Sequence, residues 1–293
     1  MTDNEIMLVG KNGQVGWELQ RTLASLGRVA AFDRTMLDLT DIAAVRAAVR
    51  RLHPRLIVNA AAYTAVDAAE TAQTQAQVLN ADIPGVLAEE AKRLGAVFIH
   101  YSTDYVFDGV KSSPYTEEDT PRPLNVYGLT KRAGEEAVQA VGGAYLIFRT
   151  SWVYGRRGKN FLRTLWRLAA EKDTLSIVDD QIGAPTWSRM IAEATALVLA
   201  QCGEGLGAAA GIYHLACAGG ASWHGFAQAV FAHRGTPRQP LLRPIPSRDY
   251  PLPARRPGNS LLSSEKLQRQ FGIALPDWRQ ALALCLAEDE ENV

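Results

Sequence analysis

The sequence predicts an α/β protein: a doubly wound parallel sheet with a smaller α/β unit at its C-terminal end. Three observations carry this expectation. Short apolar runs alternate with stretches of helical periodicity through the first half of the chain, the rhythm of strand–helix–strand crossovers. Leu56-Ile-Val-Asn-Ala-Ala-Ala62 is nearly continuous in its apolar character, as a strand buried on both faces must be. The first apolar run, Ile6 to Val9, ends in Gly10-Lys-Asn-Gly13-Gln-Val-Gly16, after which Trp17 to Leu26 has helical periodicity.

Composition narrows the function classes. The chain has 293 residues, more than one average domain, and 47% of them are hydrophobic, enough for a large core. Lys+Arg and Asp+Glu balance at 31 each, so bulk charge predicts no nucleic-acid or membrane partner, and any bound anion must be held by local groups. Cys202, Cys217 and Cys285 are too far apart for a disulfide framework or a metal-ligand set. The polar start and the lack of a long apolar run predict a soluble, cytoplasmic protein.

The glycine turn opens the series of elements. Glycines between strand and helix permit a tight turn and close backbone approach to a pyrophosphate, whose charge meets the positive end of the helix dipole. The G-x-x-G-x-x-G spacing departs from the ordinary Rossmann G-x-G-x-x-G. A second strand, Arg28 to Phe32, ends at Asp33, placed to meet the adenosine ribose hydroxyls of a bound dinucleotide. Asp33 favours NADH, whereas the next residue, Arg34, suits the 2′-phosphate of NADPH, so both cofactors stay open. Leu37-Asp38-Leu39 reads as a third short strand. Thr40-Asp41 then caps a helix to about Leu52, whose Arg46, Arg50 and Arg51 read as a solvated face. After the buried strand, small residues ending at Ala62 leave room for a flat ring, with Tyr63 and Thr64 continuing that edge. Residues 75–94 are helical but contain Pro84, which should bend or break the helix.

The fifth strand, Val97 to Thr103, leads to the stretch that organises the chemistry. Tyr127 and Lys131 are four apart on a helix capped by Asn125, so both project from one face. A free phenol titrates near pH ~10, and a neighbouring ammonium favours its phenolate and brings it toward working range. A hydroxyl from Ser102 or Thr103 at the strand end would polarise a carbonyl oxygen beside that phenol. Tyr-x-x-x-Lys also occurs by chance in many helices. Here Gly128 and Gly134 lie inside the same helix, each costing about 1 kcal/mol against alanine, which implies a compensating close approach. A sixth strand, Tyr145 to Trp152, brings Trp152 to the same sheet edge, where ligands of such sheets lie.

Beyond Trp152 the rhythm changes. Arg156-Arg-Gly-Lys159-Asn160 is a basic loop before a helix from Phe161 to Glu171, equally readable as solvated charge or as a phosphate contact. Asp179 to Thr186 is polar loop, followed by a helix from Trp187 to Ala200, a strand from Ile212 to Ala216 and a helix from Trp223 to His233 capped by Ser222. His214, His224 and His233 read as structural. Residues 237–257 hold seven of the fourteen prolines and should run extended over the surface, with Arg255-Arg-Pro-Gly-Asn259 placed to close over a substrate. A last helix, Trp278 to about Ala287, precedes the acidic Glu288-Asp-Glu-Glu-Asn292. The expected division is a dinucleotide-binding domain at 1–150, also receiving a strand and helix from about 177–215, and a substrate domain in the rest of 151–293.

On these residues the chain resembles the dTDP-4-dehydrorhamnose reductases, extended members of the short-chain dehydrogenase/reductase superfamily. The likeness spans nearly the whole chain. It rests on Gly10-Lys-Asn-Gly-Gln-Val-Gly16, Val58-Asn-Ala-Ala-Ala62, His100-Tyr-Ser-Thr-Asp-Tyr-Val-Phe107, Asn125-Val-Tyr-Gly-Leu-Thr-Lys131, Phe148-Arg-Thr-Ser-Trp-Val-Tyr154, Asp180-Gln-Ile-Gly-Ala-Pro-Thr186 and Arg256-Pro-Gly-Asn-Ser260. The resemblance implies Tyr127 as proton donor, Lys131 as its partner and anchor of the nicotinamide ribose, and Thr103 as the hydroxyl orienting a sugar ketone. Asp104 and Trp152 would contact the sugar. Gly10, Gly13, Gln14, Val15 and Gly16 would hold the pyrophosphate, with Asp33, Asp38, Leu39, Ala62, Tyr63, Thr64 and Tyr101 around the rest of NADPH or NADH.

It also implies reduction of a dTDP-linked 4-keto sugar to dTDP-L-rhamnose for cell-surface polysaccharide such as lipopolysaccharide. A homodimer, joined in some members by Mg²⁺ at acidic C-terminal residues, belongs to the same family pattern. Dehydratases of the superfamily follow the threonine with Asp-Glu; here Asp104-Tyr105 follows Thr103, which favours reduction over dehydration. Another nucleotide-sugar reductase or epimerase, or a non-catalytic cofactor-binding regulatory subunit of the same fold, are the alternatives.

Overall fold

The computed structural model describes residues 5–233 and 239–287. The first half runs β1 (Glu5–Val9), α1 (Gln14–Thr22), β2 (Arg28–Phe32), α2 (Ile42–Leu52), β3 (Leu56–Asn59), the short α3 (Val66–Ala69) and α4 (Gln73–Gln77), α5 (Ile83–Leu94), β4 (Val97–Thr103), α6 (Val126–Val141) and β5 (Tyr145–Thr150). There follow β6 (Val153–Tyr154), α7 (Phe161–Glu171), β7 (Thr174–Val178), β8 (Ile182–Gly183), β9 (Thr186–Trp187), α8 (Ser188–Cys202) and β10 (Gly211–His214). The chain ends with β11 (Ala221–Ser222), α9 (Trp223–His233), β12 (Leu241–Ile245), α10 (Glu265–Phe271) and α11 (Trp278–Ala287).

The main sheet is six-stranded in the order β10-β5-β4-β3-β1-β2, and every pairing in it is parallel. One face packs Val45, Val49, Leu87, Ala91 and Val138 of α2, α5 and α6. The other packs Leu19 of α1, Ile191 and Val198 of α8, and Phe226 and Trp278 of the C-terminal helices. Helices on both faces force the strands to be apolar on both sides, which is why β3 and the first half of β4 read as apolar runs. β10 and α8 come from the second half of the chain yet join this sheet and its covering layer.

Several elements differ from the sequence reading for identifiable reasons. Leu37-Asp38-Leu39 is not a strand: Asp33 and Asp38 each accept from the backbone and hydroxyl of the threonine two residues on, folding the segment into successive turns. The helix expected from Trp17 starts at Gln14, because the extended backbone of Gly13 serves as its cap, and it ends at Thr22. The helix expected from Trp187 starts at Ser188, since Thr186 and Trp187 pair with Val153 and Tyr154. Pro84 breaks nothing. A π turn at Val78–Asp82 puts it in the first turn of α5, where its missing N–H has no partner to lose. Within the proline-rich segment, Leu241–Ile245 pairs in parallel with Thr174–Val178; Pro244 is tolerated because the sheet has only these two strands. Arg46 and Arg50 are not merely solvated, since both bind Glu90 of α5, which is 1% exposed.

Candidate active site

The functional residues gather where β1, β3, β4 and β5 reach their carboxyl ends. At β1 the three glycines have different jobs. Gly10 has φ +86, and a Cβ there would lie 2.6 Å from the Ala61 nitrogen. A Cβ on Gly16 would lie 2.1 Å from the Gly10 carbonyl oxygen. Both are therefore required by the protein's own packing. Gly13 is less crowded: a Cβ there would meet the Gly10 oxygen at 3.3 Å, a tight contact that a shift of a few tenths of an ångström relieves, and its bare Cα exposes a surface at the helix start. That surface fits a pyrophosphate approaching the backbone and the positive end of α1. Gln14 begins α1 and is fixed by Asn160, whose amide donates to it at 2.8 Å, and Val15 follows it in the first turn. The basic loop folds against this corner, with the Arg157 guanidinium 3.3 Å above the Trp17 ring.

At the end of β2 the Asp33 carboxylate accepts from Asn12 and Thr35 and lies 3.3 Å from Lys11 Nζ. The Thr35 hydroxyl bond, joined by Lys11 and Asn12, holds it far below the usual carboxylate range. Asp38 is exposed and held by Thr40, and Leu39 is half-buried. Beyond β3, Ala62, Tyr63 and Thr64 form a loop held by buried Asn80, which accepts from the Tyr63 N–H and donates to its carbonyl. Thr64 is exposed on that loop. Asn80 sits in the π turn and also bonds Thr130 of α6, tying the loop to the helix that carries Tyr127.

The α6 glycines explain how that helix comes so close. A Cβ on Gly128 would lie 2.2 Å from the Tyr105 carbonyl, and one on Gly134 2.0 Å from that of Asn80. Backbone, not ligand, is the neighbour that their small size admits. Asn125 caps the helix by accepting from Gly128 N–H at 2.8 Å, and Glu70 accepts from Val126 N–H. Tyr127 is half-buried, and Thr103, whose hydroxyl donates to Asp104 at 2.9 Å, is the neighbour that favours its phenolate. The Ser102 hydroxyl is buried on the Glu135 side without a hydrogen-bond partner, whereas Thr103 stands beside Tyr127 and Asp104.

Lys131 is 1% exposed, and its ammonium donates to the Tyr101 carbonyl and meets His100 Nε2 at 3.3 Å. Burial brings Lys131 down to about 8. Burial also pushes the Tyr127 phenol up to about 12, with Thr103 opposing. The expected depression of the phenol by its lysine is therefore not present in the ligand-free protein, where Lys131 is engaged with β4. Tyr101 turns its hydroxyl the other way, 2.8 Å from Thr195 on α8, leaving only its backbone at the site.

Asp104 is 2% exposed and takes hydrogen bonds from Thr103 at 2.9 Å and Ser151 at 3.1 Å. Burial raises it to about 6, with Ser260, Thr103 and Ser151 working against the rise. Tyr105, the residue that replaces the dehydratase glutamate, packs edge-on against Tyr127 with ring centroids 5.9 Å apart. Trp152 adopts φ +45 and stacks flat on Trp223 at 3.4 Å, over Gly183. Its partner comes from α9, so an aromatic wall from the second half of the chain faces the sheet edge. Asn59, Asn80 and His100 were not singled out from sequence; polar residues inside apolar strand and helix stretches were the available signal.

Comparison with known proteins agrees with this geometry. Residues 4–291 match the model of the RmlD substrate binding domain family. The chain belongs to that family. Among relatives of this RmlD family member, the dTDP-4-dehydrorhamnose reductase of Burkholderia thailandensis is 52% identical, covering 97% of this chain and 98% of its own. That of Escherichia coli K12 is 45% identical, covering 97% of each. A crystal structure of the Bacillus anthracis reductase in complex with NADP superposes with a TM-score of 0.91 at 33% identity, covering 98% of this chain and 100% of that one. A Thermus thermophilus UDP-glucose 4-epimerase in complex with NAD shares the fold at a TM-score of 0.81 and 20% identity, over 99% and 100% of the two chains. Among the described residues no group of three or more His, Cys, Asp or Glu side chains is placed to hold a metal. The acidic stretch 288–292, where Mg²⁺ was expected, lies outside the described residues. No described helix is long and apolar enough to cross a membrane.

Proposed function

We propose that the protein reduces the C4 ketone of dTDP-4-dehydro-6-deoxy-L-mannose, using NADPH or NADH, to give dTDP-L-rhamnose. The observation that carries the reading is the grouping of Thr103, Tyr127 and buried Lys131 at the carboxyl edge of the sheet, beside the Gly10 to Gly16 turn. Full-length relatives named for this reaction support it.

The residues divide the work as follows. The Gly13 N–H is spent on the Gly10 carbonyl, so Gln14, Val15 and the start of α1 offer their backbone N–H groups to the pyrophosphate, with Gly13 beside them. Lys11 and Arg34 flank Asp33, so the ribose pocket offers both an acceptor for a 2′-hydroxyl and cations for a 2′-phosphate. The nicotinamide supplies the hydride when bound. Thr103 and Tyr127 hold the ketone oxygen between two hydroxyls, and Tyr127 gives it a proton. Lys131 stabilises the phenolate left behind. Asp104 and Trp152 line the sugar side. The N-terminal 150 residues, with β10 and α8, act as the cofactor-binding domain and the remainder as the sugar-nucleotide domain.

Purified protein incubated with a panel of dTDP-, UDP- and GDP-linked 4-keto sugars tests this reading. Loss of NAD(P)H absorbance with the dTDP sugar is expected; turnover confined to another sugar nucleotide, or none at all, would overturn it. A homodimer in the cytoplasm is the assembly proposed; some family members join subunits by Mg²⁺ through acidic C-terminal residues, and sizing with and without a chelator tests both points for this chain.

A further inference from the structure

Lys131 meets a histidine whose proton position is fixed from its far side. The Asn59 carboxamide oxygen accepts from the Ala61 N–H at 3.1 Å, so its NH₂ group must point the other way. That NH₂ lies 3.2 Å from His100 Nδ1. The ring is fully buried and needs an acceptor at Nδ1, which places the single proton of the neutral imidazole on Nε2. Nε2 lies 3.3 Å from Lys131 Nζ. An ammonium has no lone pair, so it would meet an N–H donor with another donor, whereas a neutral amine accepts that proton well.

We propose that Asn59 and His100 form a tautomer lock that stabilises the amine form of Lys131 against its ammonium. His100 is thus a positioning residue that makes the lysine exchangeable near neutral pH rather than a fixed charge. The inference rests on the reductase reading for its purpose. When the Lys131 ammonium gives up a proton during the reductive cycle, the amine left behind accepts from His100 Nε2–H. Solvent then restores the lysine. Among the other charged groups around Lys131, Glu135, one helical turn on and bound by Arg149 and Arg132, opposes the lock by favouring the ammonium, and Tyr127 is neutral. Burial acts in the same direction as the lock.

The test reads protons directly. In ligand-free protein, nitrogen NMR of His100, assigned by its loss in His100→Phe, is expected to show the neutral Nε2–H tautomer across the neutral range. The Lys131 side-chain carbon, assigned through Lys131→Met, is expected to titrate as a group about a hundredfold more acidic than an ordinary lysine. Asn59→Asp keeps the Ala61 bond but accepts at Nδ1, which flips the tautomer, turns Nε2 into an acceptor and returns Lys131 toward ordinary lysine acidity. An Nδ1–H tautomer in the unaltered protein, or a Lys131 that titrates as an ordinary lysine there, would overturn the proposal without any variant. So would an Asn59→Asp protein with an unchanged tautomer. None of these readings needs turnover: an active reductase without the signature sinks the lock alone, and the signature in a protein that reduces no keto sugar sinks the reductase reading alone.

Discussion

The Arg256 guanidinium grips the Asp67 carboxylate with two hydrogen bonds of 2.8 and 2.7 Å, joining the segment around Arg255-Arg-Pro-Gly-Asn259, a C-terminal strap, to the short helix α3. The same strap is held at its neighbour, where Asn125 donates to the Arg255 carbonyl at 2.7 Å while capping the helix that carries Tyr127. Ser260, which follows the strap, donates to the Ile182 carbonyl at 3.3 Å and favours the Asp104 carboxylate. Asp67→Ala leaves a largely buried guanidinium without its anion and is expected to cost about 1–3 kcal/mol in stability. The strap then loosens over the sugar side, so KM for the keto sugar should rise several-fold while NAD(P)H affinity holds. Steady-state kinetics beside a cofactor titration check this; a loss confined to cofactor binding would contradict it.

Tyr127→Phe keeps the edge contact with Tyr105 and removes only the proton. Loss of a general acid typically lowers turnover by ~10²–10⁴-fold. The expected result is that loss in kcat with unchanged NAD(P)H affinity, measured by stopped-flow and fluorescence titration. A phenylalanine variant that turns over at the original rate would remove Tyr127 from the chemistry.

What was legible in the sequence was local. The Gly10 to Gly16 turn, the Asn125 and Ser222 caps and the buried β3 and β4 follow from residues within a few positions of one another. Misreadings came where a distant partner decides. Leu37 to Leu39 has a strand's composition, but no neighbouring strand pairs with it and two aspartates turn it. Arg46 and Arg50 look like any exposed arginines until α5 brings Glu90 beside them. The direction of Lys131 depended on His100, thirty-one residues earlier in the chain. Tyr101 followed from strand alternation that the family pattern alone does not convey: its neighbours His100 and Ser102 face α6, so its ring faces α8.

The glycine turn separates a folding role from a binding role. Gly16→Ala would put a methyl 2.1 Å from the Gly10 carbonyl oxygen and should cost about 1–3 kcal/mol or prevent folding. Gly13→Ala meets its nearest atom at 3.3 Å, so the melting temperature should fall far less than in Gly16→Ala. Its methyl instead occupies the surface assigned to the pyrophosphate, and NAD(P)H affinity should fall about tenfold or more, about 1.4 kcal/mol. Melting curves and cofactor titrations on both variants decide; a Gly13→Ala protein that binds cofactor normally would put the pyrophosphate elsewhere.

Glu90 offers a pH-dependent test of the fold itself. Its carboxylate, 1% exposed, takes bonds from Arg50, Arg46 and Arg93 at 2.7 to 3.0 Å, linking α2 to α5. The Arg50 bonds lead in holding it down to about 2 from an ordinary value of 4.5. A carboxylate depressed in the folded state contributes stability that is complete above its unfolded value and is lost as pH falls through the folded one. Glu90→Gln should therefore destabilise the protein by about 2–3 kcal/mol near neutrality, the two arginines of α2 being partly screened by solvent. The gap between the two proteins should narrow below about pH 4 and close near about pH 2. Urea unfolding of both proteins along that pH series measures the gap; a difference that stays constant with pH would show that the side chain's shape, not its charge, holds α2 against α5.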